Sequence, residues 1–167
     1  MSKDPSRTEE TRRRVTGLIR DARICMLTTI ALDGRQVSRP MALQDADFDG
    51  DLWFFAYADS AKIRQIRVNP EVNVAFSDQR RHSWVSLSGT AVEAYDRERA
   101  GRLWNPRLAT WFPDGPDTPG LTLIKVHAGS AEYWDSPGST VVNLLGSARA
   151  ALTGRPPGSG ENREVRY

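Results

Sequence analysis

Short apolar runs that alternate with polar residues recur along most of this chain. Alternation with a period of two puts apolar side chains on one face of a strand, so the pattern predicts a mostly β structure. We expect six strands, at 23–32, 36–46, 52–57, 71–77, 83–95 and 121–134. The fifth contains Gly89, which predicts a bulge or bend, and the last is either one long bent strand or a strand pair.

Two Asp-Gly dipeptides predict how the first strands are joined. Asp33-Gly34 and Asp49-Gly50 each stand between strand-like runs. This dipeptide is a strong short-range signal of a β-hairpin, because it adopts the positive φ angles that tight hairpin turns need. The first three predicted strands should therefore form two successive hairpins.

Apolar residues at three-to-four spacing predict helices between and outside the strands. Helices are expected at 7–22, after Ser60 as far as Asn69, from Asp96 to about Trp104, and at 140–152. Polar residues dominate 1–6 and 154–167, which we expect to be disordered tails. Short helices interrupting hairpin-linked strands favour a mainly β, α+β fold, a single-domain antiparallel barrel with helices on its outside.

Two cations stand where a positive charge is unfavourable. Asp59 or Ser60 can cap the helix that follows the third strand, since their side-chain oxygens accept first-turn amides. Lys62 lies in the first turn, where the helix dipole disfavours a cation by ~0.3–1 kcal/mol. Arg39 shares a strand face with apolar neighbours, where a charge needs a partner. We therefore predict a phosphate at this helix start, although a lysine extended into water would explain Lys62 alone.

Composition sets outer limits on function. The 167 residues suit one domain, and the net charge of +2 is too small to argue for a nucleic-acid partner. Cys25 is the single cysteine and lies in an apolar run, so we interpret it as a buried core thiol of a reducing compartment. With His82 and His127 it cannot build a closed zinc site in one chain without carboxylates, and no metal is predicted. A soluble, cytoplasmic protein without a membrane partner is expected, because neither a spanning segment nor a signal peptide is recognisable.

Nine short motifs follow one another between about residues 10 and 150. They are S-R-P-M (38–41), D-G-D-L-W-F-F (49–55), S-x-K (60–62), N-P-x-V-N-V-A-F (69–76), W-V-S-L-S-G-T-A (84–91), L-W-N-P (103–106), W-F-P-x-G-P-D (111–117), L-I-K-V (123–126) and A-E-Y-W-D (131–135). In this order the motifs resemble the split-barrel flavin-binding family that includes pyridoxamine-phosphate oxidases. The closer resemblance is to its branch called general stress protein 26.

The resemblance implies a six-stranded antiparallel split β-barrel that forms a homodimer, with flavin mononucleotide (FMN) at the subunit interface and FAD as a possible substitute. By resemblance, Arg39 meets the flavin phosphate and ring edge, while Ser60 and Lys62 grip the phosphate. Other positions match the family's ring contacts, Trp134 coming from the partner chain. These are Pro40, Met41, Phe55, Ala56, Trp84 and Trp134.

The chain departs from true pyridoxamine-phosphate oxidases at three places. Ala61 stands where those enzymes have a second arginine, and Trp84 where they have a glutamine. Their arginine-and-histidine signature for the substrate phosphate is missing, since the chain continues D-S-P-G-S from Asp135. Synthesis of pyridoxal phosphate is therefore not expected, and the missing arginine lowers the expected affinity for FMN.

The leading hypothesis is a flavin-dependent oxidoreductase of unknown substrate in the stress-protein branch. The flavin would carry the hydride or electron chemistry. We assign no side chain as general acid or base, and interpret His127, within a strand, as structural. Three hypotheses stay open: a flavin-storage module without turnover, a relative that binds a deazaflavin, and a nucleic-acid binder using the arginine-rich first helix. The near-balanced charge argues against the last.

Overall fold

The computed structural model describes residues 5–44, 48–135 and 161–166. Within these ranges the chain forms three α-helices, two 3₁₀ turns and seven strands. In chain order they are α1 (Pro5–Asp21), β1 (Ile24–Ile30), β2 (Gln36–Ala42), β3 (Asp51–Tyr57), α2 (Ala61–Val68), β4 (Glu71–Asp78), β5 (Ser83–Glu93), α3 (Arg97–Leu103), the turns Pro106–Thr110 and Gly115–Asp117, β6 (Leu121–Asp135) and β7 (Glu161–Arg166). No helix in these ranges combines the length and apolar character needed to cross a bilayer.

Six of the strands form one hydrogen-bonded path in the order β2-β1-β4-β5-β6-β3. Every pairing along the path is antiparallel. The sheet curls around an apolar core, and β2 and β3, which are neighbours in sequence, stand at its two ends. This curled half-barrel with short flanking helices confirms the predicted mainly β split barrel.

The two hairpin predictions have different outcomes. Asp33-Gly34 does join β1 to β2, with Ile30 paired to Gln36 and Gly34 at a φ of 84°. The prediction for Asp49-Gly50 is wrong, because β2 pairs with β1 whereas β3 pairs with β6, from Asp51 to Tyr57. The five central residues of β3 are buried, so this strand needs packing on both faces. A hairpin with the largely exposed β2 could not supply that packing.

Two apolar clusters lie on opposite faces of β3. Phe54 faces the inside of the curled sheet, where Ile19 of α1 and Ile63 of α2 join the main core. Trp53 and Phe55 face outward, into a second cluster built with α3 and the first 3₁₀ turn. Because α2 contributes to the main core, its position against the sheet is fixed, and so is the position of its first turn.

Cys25 confirms its interpretation as a core thiol. Its side chain is 2% exposed, and its Sγ lies 3.5 Å from the carbonyl oxygen of Met41. Burial raises the pKa of this thiol to about 12. The thiol therefore stays protonated at neutral pH and is a poor nucleophile.

Gly89 marks the bulge that the sequence predicts. The β5–β6 register shifts between Ser88, opposite Ser130, and Gly89, opposite Ala128. A Cβ atom at Gly89 would lie 2.1 Å from the carbonyl oxygen of His127, a distance that only glycine avoids. The stretch that follows the second 3₁₀ turn is one long strand, β6, rather than a strand pair.

Both expected tails contain regular structure. The helix α1 begins at Pro5, inside the expected tail 1–6, because proline is well suited to the first turn of a helix. Residues 161–166, inside the expected tail 154–167, form β7 along the edge of β6 beyond the end of β3. Pairing along a free edge uses backbone groups, so a polar sequence is no obstacle to it. The helix expected at 140–152 lies outside the described residues.

Candidate anion-binding site

The first turn of α2 has an unusual cap. Ser60 is the N-cap residue, but its hydroxyl makes no capping hydrogen bond. The caps of the next helices do, since Asp96 accepts from the amide of Arg99 at 2.6 Å and Asn105 accepts from the amide of Arg107 at 3.1 Å. The expectation that the Ser60 side chain satisfies a first-turn amide is therefore wrong. Its Oγ is buried and has no hydrogen-bond partner among the described residues.

Arg39 lies on the inner face of β2, as its alternation predicts, and its side chain reaches α2. Its Nη1 donates to Thr29 Oγ1 at 2.6 Å and to the carbonyl oxygen of Leu27 at 3.3 Å. Its Nη2 donates to Gln65 Oε1 at 3.1 Å. Burial lowers the pKa of Arg39 below its ordinary value. All three acceptors are neutral, so the guanidinium has no counter-charge within the part of the chain that the structure describes.

Lys62 adds a second cation at the same place. Its side chain is half-buried, and its ammonium has no hydrogen bond or ion pair with the described residues. Burial first, and then the nearby charge of Arg39, lower the pKa of Lys62 below its ordinary value. Arg39, Ser60 and Lys62, with Thr29 and Gln65 behind Arg39, form what we call the cationic corner.

The cationic corner can bind an oxyanion. The amides of a helix's first turn have no acceptor within the helix, and the dipole favours negative charge there. Two half-buried cations and one buried hydroxyl surround this helix start. An anion would supply the counter-charge that the described residues do not, and a partner for Ser60.

Thr29 and Gln65 are the corner residues that the sequence analysis missed. Thr29 Oγ1 also donates to Gln65 Oε1 at 2.6 Å, which closes a ring of hydrogen bonds with Arg39. Gln65 follows Lys62 by three residues, a spacing that places two side chains on one face of a helix. That spacing is the one signal from which Gln65 could have been found.

The other predicted site residues fall into an interior group and a surface group. Met41 and Ala56 are buried in the main core, and Phe55 packs in the second cluster, with its ring 5.7 Å from that of Trp104. Trp84 and Trp134 are paired across β5 and β6. The structure thus separates the predicted set into corner, interior and surface groups, and the flavin contacts of these residues stay a prediction.

The surface group belongs to one face of the sheet, which we call the outer face. Strand register puts Pro40 of β2 opposite Met26 of β1, on the face that turns away from the main core. By the same alternation Ile24, Trp84 and Trp134 lie on this face. Ile24 is 62% exposed, Trp84 42% and Met26 41%. The outer face therefore has an exposed apolar patch, next to polar residues such as Ser38 and Asn73 on the same face.

A second polar cluster, centred on an acid, lies between β3 and β6. Asp51 accepts from Lys125 Nζ at 2.7 Å and is 2.9 Å from His127 Nδ1. Burial acts to raise the pKa of Asp51, but these two hydrogen bonds and charges outweigh burial and hold the pKa below its ordinary value. We call these three residues the acid-centred cluster, and its lysine has a counter-charge within the chain.

The fold and the corner together define the class of protein: a split β-barrel with cations gathered at a helix start. A family model described as pyridoxamine 5'-phosphate oxidase like matches residues 10–158. Since this match spans most of the 167 residues, the chain belongs to the pyridoxamine 5'-phosphate oxidase like family.

Individual relatives indicate which branch of the family this chain resembles. Protein bli-3 of Neurospora crassa is 30% identical over 149 residues, which cover 84% of this chain and 71% of that protein. A protein described as general stress protein 26 from Jannaschia sp. CCS1 has a TM-score of 0.77 at 25% identity, covering 95% of this chain and 99% of its own. The general stress FMN/FAD binding protein from Xanthomonas citri has a TM-score of 0.68 at 31% identity, covering 78% and 92%. These relatives confirm the resemblance to the general stress protein 26 branch.

Proposed function

We propose that this protein binds FMN, with the flavin phosphate in the cationic corner, and acts as a flavin-dependent oxidoreductase of the stress-protein branch. One observation carries the proposal: Arg39 and Lys62 stand together, half-buried, at a helix start, and no acid among the described residues pairs with either of them. The similarity to a protein described as FMN/FAD binding supports the choice of ligand.

The corner residues have separate roles in holding the phosphate. Arg39 and Lys62 would balance the two negative charges of a phosphate monoester, and a hydrogen bond between ions is stronger than one between neutral groups. The buried hydroxyl of Ser60 would donate to a phosphate oxygen and so gain the partner it lacks. A bound flavin supplies hydride or electron chemistry, and the protein's part is to bind and orient it.

The proposal includes a homodimer formed through the outer face, with the flavin ring between the two copies. A second copy would cover the exposed apolar surface around Ile24, Met26 and Trp84. In that dimer Pro40 and Trp84 would line the slot for the ring, and Trp134 of one copy would face the flavin held by the other. Light scattering tests the dimer, and a monomer at working concentration would contradict it.

Ligand titration of the purified protein tests the binding proposal. FMN should bind more tightly than riboflavin, which has the same ring without the phosphate. Lys62→Ala should weaken FMN binding about tenfold or more, the loss of one charge-assisted hydrogen bond, and leave riboflavin binding nearly unchanged. Equal losses for both ligands would show that Lys62 does not hold the phosphate. Titration with FAD and a deazaflavin under the same conditions ranks the alternatives.

The redox part of the proposal has its own test. A flavin-loaded protein that acts as an oxidoreductase should oxidise NADH or NADPH in the presence of an electron acceptor. Steady FMN binding without turnover for a panel of donors and acceptors would instead identify a flavin-storage module. Turnover is needed to separate the two hypotheses, because an oxidoreductase and a flavin-storage module would bind FMN at the same phosphate site.

A further inference from the structure

We infer that Gln65, together with Thr29, is a positioning residue that determines which edge of the Arg39 guanidinium faces the bound anion. The inference rests on the proposed phosphate site in the cationic corner. It concerns how that site is built rather than which ligand it takes.

The hydrogen bonds of Arg39 leave one edge of its guanidinium free. The group has five N–H donors in a rigid plane. Nη1 uses both of its hydrogens, on Leu27 and Thr29, and Nη2 uses one, on Gln65. The Nε–H and the second hydrogen of Nη2 have no acceptor among the described residues. These two donors lie side by side, and such a fork binds two oxygens of a phosphate at once.

Gln65 and Thr29 fix this orientation by a closed ring of hydrogen bonds. Gln65 Oε1 accepts from Arg39 at 3.1 Å and from Thr29 Oγ1 at 2.6 Å, and Thr29 Oγ1 accepts from Arg39 at 2.6 Å. The guanidinium cannot rotate without breaking at least two of these bonds. Both positioning side chains are neutral, so they orient the arginine and leave its charge for the ligand.

Gln65 is also suited to this role by its place on α2. It lies on the helix face that carries Lys62, one turn from the helix start. Among the described residues its side chain bonds only through Oε1, and its amide nitrogen has no acceptor there. The same side chain thus joins the helix that supplies the phosphate site to the strand that supplies its arginine.

A double-mutant cycle separates positioning from a merely structural role. The affinities for FMN and riboflavin are measured in wild-type protein, Gln65→Met, Arg39→Met and the double variant. We expect Gln65→Met to weaken FMN binding about tenfold while riboflavin binding hardly changes. In the Arg39→Met background the same change should have almost no further effect on FMN, since Gln65 acts through Arg39.

A matched control removes a cation from the other end of the same helix. Arg67 pairs with Glu93, Nη2 to Oε2 at 2.5 Å, so Arg67→Met should leave the ratio of FMN to riboflavin affinity unchanged. Independent, additive losses for Gln65 and Arg39, or equal losses for FMN and riboflavin, would overturn the inference. If Gln65→Met does not fold, Thr29→Val enters the same cycle with the same expected coupling to Arg39.

Failure of this inference can be told from failure of the proposed function. A wild-type protein that binds FMN no more tightly than riboflavin would overturn both. If wild type prefers FMN and Lys62→Ala removes that preference, but the Gln65 and Arg39 effects simply add, the phosphate site stands and the positioning role is wrong.

Discussion

The cationic corner and the acid-centred cluster use similar residues in opposite ways. In the acid-centred cluster, Asp51 lies within hydrogen-bond distance of both Lys125 and His127. In the corner, Arg39 and Lys62 face only neutral acceptors or none, and each has its pKa lowered by burial. Partly buried charges are costly unless they are paired. A cluster that is balanced within the chain needs no ligand, whereas one that is unbalanced within the described residues indicates where a ligand of opposite charge binds.

The largest expected effect comes from giving the corner the acid that it lacks. Gln65→Glu keeps the size of the side chain and places a carboxylate where Oε1 now lies 3.1 Å from Arg39. We expect FMN affinity to fall about 100-fold or more, because the guanidinium is neutralised and the new charge repels the phosphate. The free energy of unfolding of the ligand-free protein should rise, since Arg39 gains a counter-charge. Calorimetric titration and urea unfolding measure the two quantities.

The control for that variant is an acid introduced at an exposed site of the same helix. Arg64→Glu makes a larger charge change on α2, but Arg64 is exposed and bonds the backbone carbonyl of Asp59 rather than a corner residue. A loss of FMN affinity as large as that of Gln65→Glu would mean that the helix responds to net charge alone. The corner would then have no special place in binding.

Arg39 and Lys62 could be predicted from the sequence because each breaks a local rule, whereas Thr29 and Gln65 break none and were missed. Arg39 lies on an apolar strand face and Lys62 in a first helical turn, and both places are unfavourable for a cation. Each residue can therefore be identified from the sequence alone. Thr29 and Gln65 are ordinary in a strand and a helix. Their meaning comes from hydrogen bonds that join residues 36 positions apart, which no local pattern contains.

The fold was predicted at the level of its class and missed where distant pairings compete. Asp49-Gly50 is a strong local hairpin signal, yet β3 gains burial on both faces by pairing with β6. Residues 161–166 have a polar sequence, but a free edge of β6 accepts them as a strand. In both cases tertiary pairing outweighs local propensity, because the partner of a strand is set by residues far away in the sequence.

A smaller effect is expected from removing the acid of the balanced cluster. Asp51→Asn removes the counter-charge of Lys125 and changes the hydrogen-bond partner of His127. It should lower the free energy of unfolding by about 1 kcal/mol near neutral pH. The pKa of Asp51 lies below the ordinary 3.8, so its carboxylate stabilises the fold above that value and loses its contribution as pH falls through the native pKa. The difference between variant and wild type, followed by urea unfolding, should therefore disappear at strongly acid pH. The ratio of FMN affinity to riboflavin affinity should stay unchanged. A changed ratio would show that the acid-centred cluster also contributes to phosphate binding.

The smallest effect separates the corner from the cluster by the pH range in which it occurs, which is alkaline for Lys62 and acid for Asp51. Burial and Arg39 hold the pKa of Lys62 below 10.5 in the ligand-free protein, so in the window just below 10.5 the unfolded chain binds more protons than the native one. The contribution of Lys62 to the free energy of unfolding of the ligand-free protein should therefore rise with pH through that window. FMN affinity should fall across the same window, because the phosphate needs the charged ammonium, and riboflavin affinity serves to subtract any titration of the ring. Lys62→Arg keeps its charge there and should abolish the dependence. A pH dependence that persists in Lys62→Arg would assign it to another group and leave Lys62 without a role in the phosphate site.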